Sequence, residues 1–161
     1  MIKPIIVDLP YPEVTPTEQN MHDVKLLMPN YGGKGSETTA IFQYTYQHYI
    51  LHGVNEHIAD TLLGIGLAEM SHHEKLAESI VNLKGDPVIA GGYNWWTGAN
   101  VNYTKQIKNI ILTNIIDEQN AIKQYEQTNR FINNMEVKAL IDRIIMDEEL
   151  HIIKLKELLK L

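Results

Sequence analysis

Apolar residues recur along most of this chain at the three-to-four spacing of amphipathic helices, and polar, glycine and proline positions divide that pattern into segments. Residues 1–16 stand apart. They hold four of the six prolines, in Lys3-Pro4, Leu9-Pro10, Tyr11-Pro12 and Thr15-Pro16, which predicts an extended arm on the surface. Thr17 is placed to cap a short helix, α1, over 18–28, which Pro29 and the Gly32, Gly33 and Gly35 cluster then end. Ser36 stands at the N-cap of α2, 37–51, stopped by Gly53, with Ile41, Tyr44 and His48 on the face of Glu37. Asn55 caps α3, which runs to residue 84 and is closed by Gly85 with Pro87 behind it; Leu62, Ile65, Leu76, Ile80 and Leu83 share the face of Glu69.

Residues 85–102 contain Gly85, Pro87, Gly91, Gly92 and Gly98 around the pair Trp95 and Trp96, and read as a connection. At roughly 3.3 Å per residue it reaches over ~55 Å, enough to cross a bundle end to end, so the helices it joins can run parallel. Helix α4 covers about 102–131, with Ile107, Ile111, Ile115, Glu118, Ile122 and Tyr125 on one stripe. After an Asn133-Asn134 turn, α5 covers about 136–160 and presents Ile141, Ile144, Ile145, Glu148, His151, Ile152, Leu155 and Leu159. These elements predict an all-α four-helix bundle with one long crossover between α3 and α4. The arm and short helix form a first region, 1–35, and the bundle a second, 36–161.

Length and composition narrow the chemistry. A chain of 161 residues fits one domain and buries a core without staples. With no cysteine there is no disulfide framework, no thiolate zinc site and no cysteine-ligated iron–sulfur centre, so any metal must be held by oxygen and nitrogen. A net charge of -6 without a basic stripe argues against nucleic acid as a partner. The start lacks the pattern of a secretion signal and no run of about 18 apolar residues offers a membrane span, so a soluble, cytoplasmic protein is expected.

The chain repeats itself. Glu37, Ala40, Ile41, Gln43 and Tyr44 recur as Glu118, Ala121, Ile122, Gln124 and Tyr125; Glu69, His72, Lys75 and Leu76 recur as Glu148, His151, Lys154 and Leu155. Packed as helices, the repeats bring four carboxylates and two imidazoles into one core, a ligand set for two metal ions. Residues three apart on a helix are neighbours, so Glu69 with His72 can share one metal and Glu148 with His151 another. Four glutamates on apolar stripes would each cost several kcal/mol if buried unpaired, and two divalent cations neutralise them. Iron and manganese both suit this hard oxygen and nitrogen set, whereas zinc would leave it redox-silent.

Over residues 36–160 the pattern resembles the ferritin-like superfamily of rubrerythrins, bacterioferritins and related di-iron or di-manganese carboxylate proteins. The resemblance implies a ferritin-like bundle in which Glu37 and Glu118 bridge the metals and the pairs Glu69–His72 and Glu148–His151 supply terminal ligands. It further implies that Tyr44 and Tyr125 hydrogen-bond these ligands from behind. Leu9-Pro10-Tyr11-Pro12 and Tyr31-Gly32-Gly33 ahead of Glu37 resemble manganese catalases. The activity implied is an oxidoreductase acting on peroxide or O2, with an external electron donor if it is a peroxidase and none if it is a catalase. The alternative is a ferroxidase or iron-storage protein. Rubrerythrins carry a further glutamate where Ala121 stands, which weakens the peroxidase reading. Ten residues follow His151, too few for the fifth helix of a storage shell, so a homo-oligomer from dimer to hexamer is expected.

Other conspicuous residues read more simply. His48 is three turns from Glu37, about 16 Å along the axis, and is expected to be a satisfied histidine. His73 points aside from the site, and His22, His52 and His57 carry no pattern. Met70 is expected to pack at a helix interface; the resemblance to bacterioferritin at Glu69-Met70-Ser71-His72 implies the alternative of a haem ligand. Trp95 and Trp96 are expected to anchor the crossover or a subunit contact, and Lys75 and Lys154 to mark a solvated edge.

Overall fold

Three asparagines set where helices begin. Asn20 accepts from the Asp23 amide ahead of α1 (Met21–Gly32), Asn55 from the Ile58 amide ahead of α3 (Glu56–Asn82), and Asn134 from the Glu136 and Val137 amides ahead of α5 (Met135–Leu158). With α2 (Glu37–Leu51) and α4 (Ile107–Phe131), they make up the computed structural model, which describes residues 1–160. Residue 161, the last of the expected bundle region, lies outside the described residues. Helix α2 packs along α3 and α4 along α5, with α3 and α5 also in contact, as a four-helix bundle requires. Among the described residues no helix is long and apolar enough to cross a membrane.

The boundaries depart from the sequence reading in three places. Helix α1 starts later than expected and continues through Pro29. Thr17 is not its cap, because the Thr17 amide donates to Asn82 O at 3.1 Å, and the Gly33 amide returns to Pro29 O at 3.2 Å to close a further turn. Helix α3 ends in a left-handed residue that is Lys84, with φ 64°, rather than Gly85; the Gly85 amide reaches back to Ile80 O at 2.8 Å. Helix α4 begins at Ile107 rather than near 102. The Asn102 amide is held by Gln43 Oε1 at 2.9 Å and its side chain accepts from the Thr104 amide, which keeps this stretch extended along α2.

The apolar core falls into two parts. One gathers Leu27, Leu76, Ile80, Leu140, Ile141 and Ile144; the other gathers Leu51, Leu62, Ile65, Ile110, Ile111 and Leu155. Along α3 the order is Leu62, Ile65, then Glu69 and His72, then Leu76 and Ile80. Along α5 it is Ile141, Ile144, then Glu148 and His151, then Leu155. Polar residues therefore form a layer between two apolar ones, which is where burial makes their mutual pairing obligatory.

The N-terminal arm lies on the surface, as expected, and is firmly attached. Its Ile5 amide donates to Gly64 O on α3 at 2.9 Å, and its Val7 amide to Asp147 Oδ1 on α5 at 2.7 Å. Asp23 ties α1 to the α4–α5 turn, accepting from the Asn133 and Asn134 amides at 3.0 and 2.8 Å. In the crossover, Trp96 Nε1 donates to Thr39 at 2.9 Å and its ring stacks on Phe42, while the Trp95 side chain is exposed and its backbone forms an antiparallel bridge with Ala90. Gly91 meets Gly33 so closely that a Cβ there would lie 2.7 Å from the Gly33 Cα, so a glycine is needed for the crossover to seat on the end of α1.

Candidate metal centre

The repeat places one glutamate on each of α2, α3, α4 and α5, with a histidine one turn further along α3 and α5. All six side chains are buried. Their donor atoms form two groups, Glu37, Glu69, His72 and Glu148 in one and Glu69, Glu118, Glu148 and His151 in the other, with the atoms of each group within 4.8 Å of one another. Glu69 and Glu148 belong to both groups. Glu37 and Glu118 each belong to one. The resemblance implies that Glu37 and Glu118 stand between the metals; the residues common to the two groups are instead the glutamates of the paired motifs on α3 and α5, which pack together.

Both imidazoles turn the same edge inward. His72 Nδ1 stands 3.0 Å from Glu69 Oε2, 3.4 Å from Glu148 Oε1 and 3.8 Å from Glu37 Oε2. His151 Nδ1 stands 3.0 Å from Glu148 Oε2, 3.1 Å from Glu69 Oε1 and 3.6 Å from Glu118 Oε1. The outward nitrogens are engaged elsewhere: His72 Nε2 lies 3.0 Å from Asp147 Oδ2 and His151 Nε2 lies 2.9 Å from the Ile5 carbonyl. An acceptor at Nε2 holds the proton there and presents Nδ1 as the donor to a metal.

The two tyrosines complete a cross. Tyr44 on α2 donates to Glu118 on α4, and Tyr125 on α4 donates to Glu37 on α2. Burial first, then the facing carboxylates, pushes both phenols well up, so they stay protonated and remain donors. The carboxyls of Glu37 and Glu118 are likewise pushed up by burial and by the neighbouring Glu69 and Glu148. Burial works against the ionised forms of Glu69 and Glu148 as well, but the imidazoles hold both below the usual carboxylate range. Burial opposes a charge on His72 and His151 too, and the surrounding carboxylates outweigh it, raising both.

The donor set fits a pair of divalent cations on its own chemistry. It is all oxygen and imidazole nitrogen, it carries four carboxylates in one water-poor layer, and Glu69 Oε1 is buried without a hydrogen bond. A cavity of about 360 Å³ leads in between α2 and α4 to Glu37, Glu69, Glu118 and Glu148. Ala40 and Ala121, equivalent in the repeat, line it beside Gln43 and Gln124, so the passage stays open to a small polar solute.

Sequence reasoning missed the residues behind the histidines. Asp147 precedes Glu148 and accepts from the Val7 amide and from Tyr11 Oη at 2.6 Å. Arg143 stands 2.7 Å from Asp147 Oδ1 and donates to the Val7 and Leu9 carbonyls. The sequence signal was weak, an acidic residue four positions after Arg143 on the same helix face. The simpler readings are met at several points. His48 Nδ1 pairs with Ala59 O at 2.9 Å, His73 stacks on Tyr31, and Lys75 and Lys154 pair with Glu78 and Glu157 on exposed edges. Met70 is 43% exposed in the single chain, so it is not packed at an interface within the bundle.

A family model described as rubrerythrin matches residues 35–159. A probable manganese catalase of Clostridium acetobutylicum is 29% identical over 161 residues, covering 86% of this chain and 71% of that protein. Among solved structures, a manganese catalase from Anabaena matches the fold with a TM-score of 0.83 at 23% identity, over 96% of this chain and 78% of its own. The Desulfovibrio desulfuricans bacterioferritin matches with a TM-score of 0.73 at 25% identity, over 86% of this chain and 81% of its own.

Proposed function

This chain belongs to the rubrerythrin family, and from that premise we propose that it is a di-metal carboxylate oxidoreductase that removes hydrogen peroxide, with two manganese or two iron ions as cofactor. The observation that carries the reading is the sharing of Glu69 and Glu148 between two buried donor groups, since two isolated metal sites would have no residues in common. Glu37 with His72 and Glu118 with His151 would complete the two positions. The ions would supply the paired one-electron changes that peroxide chemistry needs.

The protein's own part is positioning and access. Tyr125 fixes the Glu37 carboxylate through Oε1 and leaves Oε2 toward His72, while Tyr44 holds Glu118 through the same Oε1 that faces His151. The amide and hydroxyl groups that line the passage can replace the water shell of a molecule the size of peroxide. Ala121 stands in place of a further carboxylate, and Asp117, which also lines the passage, accepts from Gln43 Nε2 at 2.8 Å. Disproportionation of two peroxides to two waters and O2 needs no outside electrons, whereas reduction of one peroxide to two waters needs two electrons and two protons from a donor. The similarity to a probable manganese catalase favours the first.

The test is peroxide turnover by protein loaded anaerobically with Mn(II) or Fe(II), with and without a reductant. O2 release without reductant supports the catalase form, and dependence on the reductant supports a peroxidase. No turnover in either metal form defeats the proposal. The likeness to a bacterioferritin supports iron oxidation and storage as the second reading; a particle of several hundred kilodaltons by size exclusion, filling with iron under air, would establish it instead.

A further inference from the structure

The repeat that builds the centre breaks behind the two histidines. Pairing Glu69 with Glu148 also pairs Ala68 with Asp147 and Gly64 with Arg143. On α5 these positions carry a carboxylate against His72 and a guanidinium that holds it; on α3 they carry two of the smallest residues. The space they leave is taken by the arm. A Cβ on Gly64 would lie 3.0 Å from the Ile5 side chain and 3.1 Å from the Lys3 carbonyl, and the Ile5 amide bonds to Gly64 O. That docking aims the Ile5 carbonyl at His151 Nε2, 2.9 Å away. A carboxylate behind an imidazole raises its basicity as a ligand, and a neutral carbonyl orients it with less effect.

Resting on the two-metal reading above, we propose that the two positions are inequivalent. The Glu37–His72 position, backed by Asp147, is the tighter for a divalent cation, and the Glu118–His151 position depends on the seating of the N-terminal arm. Asp147 and Ile5 are positioning residues that act through the histidines. Arg143 links the two halves, because it holds both the Asp147 carboxylate and the Val7 and Leu9 carbonyls of the arm.

The probe is Mn(II), titrated anaerobically into metal-free full-length protein and followed by calorimetry and electron paramagnetic resonance. Glu118→Ala isolates the His72 position and Glu37→Ala the His151 position; the first is expected to bind Mn(II) at least about 10-fold more tightly. Adding Asp147→Asn should weaken binding roughly 10- to 100-fold in the Glu118→Ala protein and leave the Glu37→Ala protein within about 2-fold. Adding Gly64→Val, which pushes the arm off α3 without touching a ligand, should do the reverse. Equal affinities in the two single-position proteins, or second substitutions that weaken both alike, overturn the proposal. If either single-position variant loses its helical circular dichroism, Asp147→Asn and Gly64→Val are placed in the otherwise unaltered chain. There the loss of the tighter step by the first and of the weaker step by the second supports the proposal, and any other assignment overturns it. Two ions bound with one common affinity refute the inequivalence alone; no Mn(II) bound to the unaltered protein refutes the two-metal reading itself.

Discussion

Replacing Arg143 by methionine removes the joint between the arm and the bundle while keeping an apolar stem of similar length. Arg143 is buried, stands 2.7 Å from Asp147 Oδ1, donates to Val7 O at 2.8 Å and to Leu9 O at 2.8 and 3.1 Å, and lies 4.5 Å over the Tyr11 ring. Breaking a buried ion pair typically costs about 3–5 kcal/mol, because the remaining charge is left buried. Asp147 keeps the Val7 amide, Tyr11 Oη and His72 Nε2, so the lower end, about 3 kcal/mol, is expected. For a domain of this size about 1 kcal/mol moves the melting temperature by roughly 2–4 °C, giving a fall of roughly 6–12 °C. Arg143→Lys keeps the charge but not the fork that reaches two carbonyls and a carboxylate together, and should lose about half as much. The assay is urea and thermal unfolding of metal-free protein by circular dichroism, with limited proteolysis reporting release of residues 1–12. A change in stability under about 0.5 kcal/mol, with the arm still protected, would refute the reasoning.

Tyr44→Phe and Tyr125→Phe each remove one bond to a buried carboxyl, and metal-free protein should lose about 1–3 kcal/mol in either case, measured by urea unfolding; an effect in only one would contradict their mirror-image roles. Burial raises the Asp23 carboxyl but the amides of Asn133 and Asn134 with His22 and Asn20 outweigh it, so its folded value is lowered. Its stabilisation is therefore complete above the unfolded value of about 4 and lost as pH falls through the folded one; Asp23→Asn should cost about 1–3 kcal/mol at pH 7, and the gap between the two urea midpoints should narrow by about pH 3. Ala121→Leu puts a larger side chain in the passage between α2 and α4 and should cut peroxide turnover at least about 10-fold while elemental analysis shows unchanged metal content.

Much of this arrangement was legible in the chain because it is written in periodicity. The four bundle helices, the crossover and the six donors follow from a repeat whose spacing has one meaning on a helix, and Tyr44 and Tyr125 follow from lying two turns beyond Glu37 and Glu118 on the same faces. What spacing could not convey is which glutamates stand between the two groups, since that depends on which helices pack face to face. Nor could it reveal that an extended arm with no periodicity supplies a carbonyl to His151, because backbone acceptors leave no mark in side-chain identity. Asp147 was hidden for a related reason: a lone acidic residue next to Glu148 looks like part of a solvated run until Arg143, Tyr11 and His72 are seen to surround it. The misplaced starts of α1 and α4 have the same origin, long-range bonds from Thr17 to Asn82 and from Asn102 to Gln43 that hold those stretches extended.

The most direct measurement is the metal stoichiometry of anaerobically reconstituted protein, by elemental analysis with electron paramagnetic resonance of the Mn(II) form. Two ions per chain are expected, magnetically coupled through shared carboxylates, with Glu69→Ala abolishing the coupling. One ion or none per chain, or two uncoupled ions indifferent to Glu69→Ala, would contradict the claim that Glu69 and Glu148 join two donor groups into one centre.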